Sequence, residues 1–284
     1  MNILYCGDNN ITDGLIISIL SLLKNIKEKL NIYVLTMELV TENKTYNAIS
    51  NASIDYLDKI VKSKNEKSFV KKIDITNMYK EELPIKNMET RFTPYCMVRL
   101  FADKIQEIPD RILYLDTDVI CRKDCLEFYN QDIENYELVG VLDFYGSHFF
   151  RNNIFKKDYL NSGVLLLNMK KIKATKLFEN CRKKCIEEEM FMPDQSAINK
   201  LTTAKKIMPR KYNEQRRLHK NTVFQHFTTS FRLFPLFHTV TIKPWNIEEL
   251  HSKLKIKEYD DILNEYIKIK QNIDTQNTQI YINT

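Results

Sequence analysis

Short apolar runs, each closed by turn-forming residues, alternate along this chain with longer segments whose apolar positions recur at helical spacing. Residues 2–6 are mostly apolar and short, Gly7, Asp8, Asn9 and Asn10 make a turn, and 13–24 repeat apolar side chains as a helix does. The same pattern predicts a strand at 32–36, a helix over 46–62, a strand at 68–75 and a helix over 94–105. Further strands follow at 111–115 and 137–142. Such alternation predicts an α/β fold, a mostly parallel central sheet with crossover helices on both faces. Ligands in such sheets gather at the carboxyl ends of strands. Those ends follow Cys6, Leu115 and Leu142, and each carries aspartate: Asp8, then Asp116 with Asp118, then Asp143.

Toward the C terminus, Tyr259, Ile262, Leu263, Tyr266 and Ile267 form a stripe at helical spacing beside several lysines. A helix packed on the domain is the expectation, and peripheral contact with a membrane surface is the alternative. Residues 271–284, rich in Asn, Gln and Thr, read as loosely ordered. We therefore expect a main domain over residues 1–248 and a small helical extension with a polar tail over 249–284.

Composition narrows the classes. A chain with 43% hydrophobic and 28% charged residues is not disordered as a whole. The formal charge of +6, from 43 basic and 37 acidic residues, suits a phosphate-bearing ligand. Lys and Arg are interspersed with Asp and Glu rather than drawn into one stripe, so nucleic acid is not an expected partner. Two of the cysteine pairs, Cys121/Cys125 and Cys181/Cys185, lack the close Cys-x-x-Cys spacing of structural zinc sites and read as free thiols of a reducing compartment. The first strongly apolar run, 14–23, has no basic leader and is about half the ~20 residues of a membrane span. The expected location is cytoplasmic, with the stripe near the C terminus offering a peripheral attachment at the inner membrane face.

The most informative stretch is the apolar run Ile112 to Leu115 followed by Asp116, Thr117 and Asp118. In extended backbone the two carboxylates would project to one side and could approach one hard cation, Mg²⁺ or Mn²⁺, holding a diphosphate. Acidic residues also end strands as solvated turn formers, so the pair alone decides little. No G-x-G-x-x-G fingerprint or Walker A loop is present to bind a dinucleotide or ATP.

In order along the chain stand Tyr5-Cys6-Gly7-Asp8-Asn9-Asn10, Arg99, Tyr114-Leu115-Asp116-Thr117-Asp118, Asp143, the run Asn161 to Asn168, Asp194-Gln195 and Lys243-Pro244-Trp245. Taken together they resemble the family 8 retaining glycosyltransferases, which include glycogenin and bacterial enzymes that build surface oligosaccharides. The resemblance implies a GT-A fold with a Rossmann-like nucleotide-binding half, and a UDP-glucose or UDP-galactose donor. It also implies Mn²⁺ or Mg²⁺ as cofactor and a saccharide, glycolipid or protein acceptor. By the same resemblance Asp8 and Asn10 contact uracil and ribose, while Arg99, Thr117 and Lys243 meet the donor sugar and diphosphate. Asp143 and Asn161 bind sugar hydroxyls, and Asp194 and Gln195 lie beside the anomeric carbon. Asp194 is also placed to cap a helix that Pro193 begins.

The family's third metal ligand is a histidine followed by Gly-containing residues leading to Lys-Pro-Trp, and here the chain departs from the pattern. His226 has the strand context but lies far from Lys243 with no glycine between, which implies an inserted segment; His238 has the spacing but a different context. His226 is the expected ligand, with His238 the alternative. Sugar-nucleotide pyrophosphorylase chemistry would need a Gly-rich phosphate loop that the lone Gly7 does not supply. A non-catalytic UDP-sugar or glycan-binding protein on the same fold is the reading from another class.

Overall fold

A computed structural model of the protein describes residues 1–88, 94–145, 158–232 and 238–282, with side chains omitted at 231–232, 238 and 274–282. In chain order the strands are β1 (Asn2–Cys6), β2 (Asn31–Thr36), β3 (Leu39–Val40), β4 (Thr45–Tyr46), β5 (Phe69–Asp74), β6 (Arg111–Leu115) and β7 (Val119–Cys121). They continue with β8 (Leu138–Leu142), β9 (Leu160–Asn168), β10 (Lys205–Ile207), β11 (Phe224–His226), β12 (Ser230–Arg232) and β13 (His238–Val240).

The central sheet has seven strands in the order β10-β8-β9-β6-β1-β2-β5. β6, β1, β2 and β5 pair in parallel, as do β10 and β8, whereas β9 pairs antiparallel with both β6 and β8. All but β9 therefore point the same way, which is the mostly parallel sheet the alternating pattern predicts. The reversal of β9 sets its first residues, Leu160 to Ser162, beside the carboxyl ends of β6 and β8.

Side chains two apart along a strand share a face, and the core divides on that rule. Ile3, Tyr5, Leu113 and Leu115 pack with the helices Thr12–Asn25, Asn51–Lys64 and Asp260–Ile282. Leu4, Ile112 and Tyr114 pack on the other face with the 3₁₀ helix Pro94–Lys104 and the helices Leu177–Glu187 and Pro193–Leu201. All nine residues of β9 are buried, as expected of a strand covered on both faces.

Some boundaries moved. The helix expected from residue 46 starts at Asn51, because the Ser50 side chain accepts from the Ser53 N–H at 3.1 Å and caps it, while Tyr46 pairs in β4. The segment 94–105 is helical but of the tighter 3₁₀ kind. The polar end that reads as loose in sequence continues the helix Asp260–Ile282. Its stripe is covered within the chain: Tyr259, Ile262, Leu263 and Tyr266 are buried, only Ile267 is exposed, and Lys270 reaches Asp13 at 2.7 Å. Among the described residues no helix is long and apolar enough to cross a membrane. Leu263→Ala should cost about 2–5 kcal/mol through the cavity it leaves. The check is the denaturant midpoint, and an unchanged midpoint would contradict this packing.

The cysteines are free thiols. Cys181 and Cys185, one turn apart, share the buried face of Leu177–Glu187, whereas Cys121 lies in β7 and Cys125 precedes the next helix.

Candidate active site

The Asp-x-Asp pair ends β6 in a turn rather than in extended backbone, with the Val119 N–H donating to the Asp116 carbonyl at 3.1 Å. The expected same-side projection of an extended strand is thus corrected. The two carboxylates converge because the chain folds over at Thr117 and leaves as β7. β7 and β11 form an antiparallel ribbon that the strand pattern does not announce, and its register sets His226 opposite Val119. The imidazole is thereby delivered beside Asp118. Its Nε2 lies 3.2 Å from Asp118 Oδ1 and 3.6 Å from Asp116 Oδ2.

Asp116, Asp118 and His226 offer ligand atoms within 4.8 Å of one another, the one such metal-capable group among the described residues. Two carboxylates and one imidazole suit a divalent ion such as Mn²⁺ or Mg²⁺. A Cβ on Gly163 would sit 2.1 Å from His226 Cε1 and 2.7 Å from Asp116 Oδ2, so this concavity exists only because residue 163 has no side chain. The donor set and the concavity together fit a bound cation.

Burial works to raise the Asp118 carboxyl, but the Lys243 ammonium and the His226 ring overcome it and hold Asp118 well below the usual carboxylate range. Lys243 Nζ donates to Asp118 Oδ2 and, at 3.0 Å, to the Phe227 carbonyl. The long separation between His226 and Lys243 is explained by the antiparallel pair β12 and β13, which leaves the site after Thr229 and returns before Lys243. His238 lies in β13 opposite Arg232; its side chain lies outside the described residues.

Arg99 is buried, and its guanidinium is engaged on several sides. Nη2 donates to Asp116 Oδ1 at 2.9 Å, Nη1 to the Ser162 carbonyl at 2.6 Å, and Nε lies 3.2 Å from Asp194 Oδ2. The Tyr114 ring stacks 3.9 Å from the guanidinium carbon, and the Tyr114 hydroxyl donates to Asp116 Oδ1 at 2.6 Å. Asp194 does not cap its helix. Pro193 does begin that helix, but Met192 is the N-cap residue and makes no side-chain cap bond. Burial pushes the Asp194 carboxyl above its ordinary value despite the opposing pull of Arg99.

Gln195 joins this group to the end of β8. Its Oε1 accepts from the Ser162 N–H at 2.9 Å and its Nε2 reaches Asp143 Oδ2 at 3.4 Å. Asp143 Oδ2 also accepts from Asn161 Nδ2 at 2.9 Å. Asp8 and Asn10 sit apart from this network. Asp8 accepts from the Asn10 backbone N–H at 3.1 Å and from Asn10 Nδ2 at 2.7 Å, a turn closed on itself at the end of β1. Parallel pairing of β1 with β6 still sets that turn at the same sheet end as Asp116. The Thr117 carbonyl oxygen lies 2.7 Å from where a Gly14 Cβ would be, so the neighbouring helix packs against the Asp-Thr-Asp turn.

Sequence reasoning missed Asn213, which is fully buried. Its Oδ1 lies 3.1 Å from His226 Nδ1, and its Nδ2 donates to Asn161 Oδ1 at 2.9 Å. Followed in one direction, His226 Nδ1–H donates to Asn213, Asn213 to Asn161 and Asn161 to Asp143. With the ring proton fixed on Nδ1 by this assignment, the Nε2 lone pair faces the two aspartates. The one signal in the sequence is an aromatic and polar run, Tyr212 to Gln215, placed before a strand; every one of these residues is buried. Asn213→Ala should weaken Mn²⁺ binding about 10- to 100-fold. Calorimetry with Mn²⁺ would read it, and wild-type affinity in the variant would remove Asn213 from the site.

The fold and site can be set beside known proteins. A relative from Haemophilus influenzae is 28% identical over 190 residues, 63% of this chain and 52% of its own. The chain thus spans about half the length of that protein. A lipopolysaccharide 1,2-glucosyltransferase of Escherichia coli is 23% identical over 273 residues, 90% of this chain and 75% of its own. Among solved structures, the galactosyltransferase LgtC in complex with donor and acceptor sugar analogs superposes with a TM-score of 0.68 at 17% identity, covering 94% of this chain and 96% of that one. That likeness establishes the fold as the GT-A arrangement expected from the sequence. The sequence profile described as glycosyl transferase family 8 matches residues 2–249, most of the length, and the chain therefore belongs to that family.

Proposed function

We propose that this protein is a metal-dependent retaining glycosyltransferase that moves a hexose, glucose or galactose, from a UDP-sugar to an acceptor hydroxyl. The observation that carries the proposal is the convergence of Asp116, Asp118 and His226 within 4.8 Å at the carboxyl end of the sheet. Those three residues hold the cation, Mn²⁺ or Mg²⁺. When bound, such an ion offsets the charge that builds on the leaving diphosphate.

The protein's own groups do the rest. Lys243, beside Asp118, donates to the diphosphate and adds a second positive charge there. Asp8 and Asn10 hold uracil and ribose, and Thr117 lines the donor path. Arg99 fixes the orientation of Asp116 and Asp194 and is itself held by the Cys96 and Ser162 carbonyls. Asp143 and Asn161 grip sugar hydroxyls, and Asp194 and Gln195 stand at the anomeric carbon. The bond from that carbon to the phosphate oxygen breaks while the acceptor oxygen bonds to it from the same face. Attack from the face that the phosphate leaves retains configuration, and the acceptor proton passes to the departing phosphate oxygen.

The test is UDP release from UDP-glucose and UDP-galactose with and without Mn²⁺, beside thermal shift with UDP and the ion. A donor bound at 100 times its dissociation constant raises stability by about 2.7 kcal/mol. Metal-dependent cleavage supports the reading. UDP binding with no cleavage and no transfer would point to a binding protein on a transferase fold.

A further inference from the structure

A cleft of about 1,100 Å³ opens beside the site and shares His226 with it. It exceeds the roughly 300–1,000 Å³ of ordinary small-molecule pockets, enough for more than one sugar unit. Its charge is one-sided. Arg216, Arg217, Lys255 and Lys257 line it, and among the described residues none of the four makes an ion pair. The other lining cations differ: Arg210 is paired with Glu214 and Lys253 with Glu249. The lining acid, Glu258, is already held by Arg122. A chain whose whole formal excess is +6 thus concentrates unpaired positive charge on one concave wall.

That wall is built rather than incidental. The buried Glu214 carboxylate accepts the backbone N–H groups of Arg216 and Arg217 at 2.9 and 3.1 Å, which fixes the turn that carries them. The Arg216 guanidinium lies 4.4 Å from the Phe144 ring centre, and the Phe144 N–H donates to Gln215 Oε1 at 2.9 Å. Phe144 follows Asp143, so the arginine turn is tied to the end of β8, where the transferred sugar is placed. Elsewhere in the lining Lys255 holds φ at 59°, a left-handed conformation that a residue with a side chain seldom adopts.

We propose that this cleft is the acceptor subsite and that the acceptor is a saccharide bearing an oxyanion, phosphate or carboxylate, read by Arg216, Arg217, Lys255 and Lys257. The inference deepens the proposed function and rests on it for the word acceptor. Guanidinium groups pair two N–H donors with two oxyanion oxygens, and the lysines add point charges. A concave wall favours a discrete glycan over a bilayer surface, which could not reach the cleft floor. The donor diphosphate is accounted for elsewhere, at the metal group and Lys243.

The experiment saturates the intact protein with UDP and Mn²⁺ and titrates it by calorimetry with glucose 6-phosphate, glucuronate and glucose at constant ionic strength. At least one of the two anionic sugars should bind roughly tenfold or more tighter than glucose, and which one does so identifies the oxyanion. The combined variant Arg216→Gln, Arg217→Gln, Lys255→Gln, Lys257→Gln should lose that preference and keep wild-type affinity for UDP and Mn²⁺. All four side chains are exposed, and a melting curve checks the fold. A control removing four exposed lysines elsewhere, Lys27, Lys29, Lys59 and Lys64, should keep the preference. Equal binding of all three sugars, a preference that survives the cleft variant, or its equal loss in the control overturns the proposal. So does a fall in UDP affinity in the cleft variant, which would assign these cations to the donor. If UDP and Mn²⁺ do not bind at all, the proposed function fails, and the same titrations run without them still judge the cleft.

Discussion

Asp118→Asn should reduce metal-dependent UDP release from a UDP-sugar by about 10²–10³-fold or more, the loss typical when one preorganised electrostatic stabiliser is removed. The carboxylate is mostly buried, faces His226 Nε2 at 3.2 Å and accepts from Lys243. The substitution keeps shape and removes charge, so cation affinity should fall with turnover while the fold remains. Lys243 would also lose its anionic partner, which makes a double comparison useful. Asp118→Asn and Lys243→Gln should differ in Mn²⁺ calorimetry, with the first weakening the ion and the second mainly weakening UDP. Undiminished turnover of the Asp118 variant at saturating Mn²⁺ would end its role as a ligand.

Gly163→Ala should be as damaging to the Asp116–Asp118–His226 group without replacing any of its members. The added methyl would lie 2.1 Å from His226 Cε1, and His226 cannot easily retreat. Its backbone is held in the ribbon opposite Val119, its N–H donates to the Glu214 carbonyl at 2.9 Å, and its other ring nitrogen meets Asn213. Overpacking of this kind costs about 1–3 kcal/mol, and relief would come by swinging the imidazole away from Asp116. Both a lowered denaturant midpoint and a loss of Mn²⁺ binding are expected. A variant with wild-type stability and wild-type ion affinity would show that the packing around Gly163 is looser than described.

The parts of the site legible in sequence were those that end a local pattern. Apolar β1, β6 and β8 finish in Asp8, Asp116 and Asp143, and a strand end is visible because hydrophobic periodicity stops there. The order of strands was less visible, since β9 runs against its neighbours and nothing in the pattern of a fully buried strand encodes its direction. The convergence of Asp116, Asp118 and His226 needed something else again: a register between β7 and β11, segments separated by about a hundred residues of chain. His226 could be favoured over His238 by context but not placed, because pairing of two three-residue strands leaves no periodic trace. Asn213 was invisible for a related reason. A buried asparagine is specified by its partners, here His226 and Asn161, and those meet it only in the folded chain.

The polar tail misled in the opposite sense. Asn, Gln and Thr favour disorder when taken as composition, yet residues after Tyr259 continue a helix anchored by Ile262, Leu263, Tyr266, Ile269 and Ile273. Anchoring by a packed face extends a helix past the point where its own propensity would end it.

The thiols of Cys181 and Cys185 lie beneath the helix Leu177–Glu187, and burial pushes the Cys185 group up to about 12. At neutral pH such sulfurs are protonated and screened from solution, so an alkylating reagent meets them only when that helix lifts from Pro193–Leu201 and Pro94–Lys104, the helices it packs on. The protein therefore carries a native chemical clock for opening of the layer that supports Asp194, since the rate at which these two sulfurs are capped counts the excursions of the helix next to it.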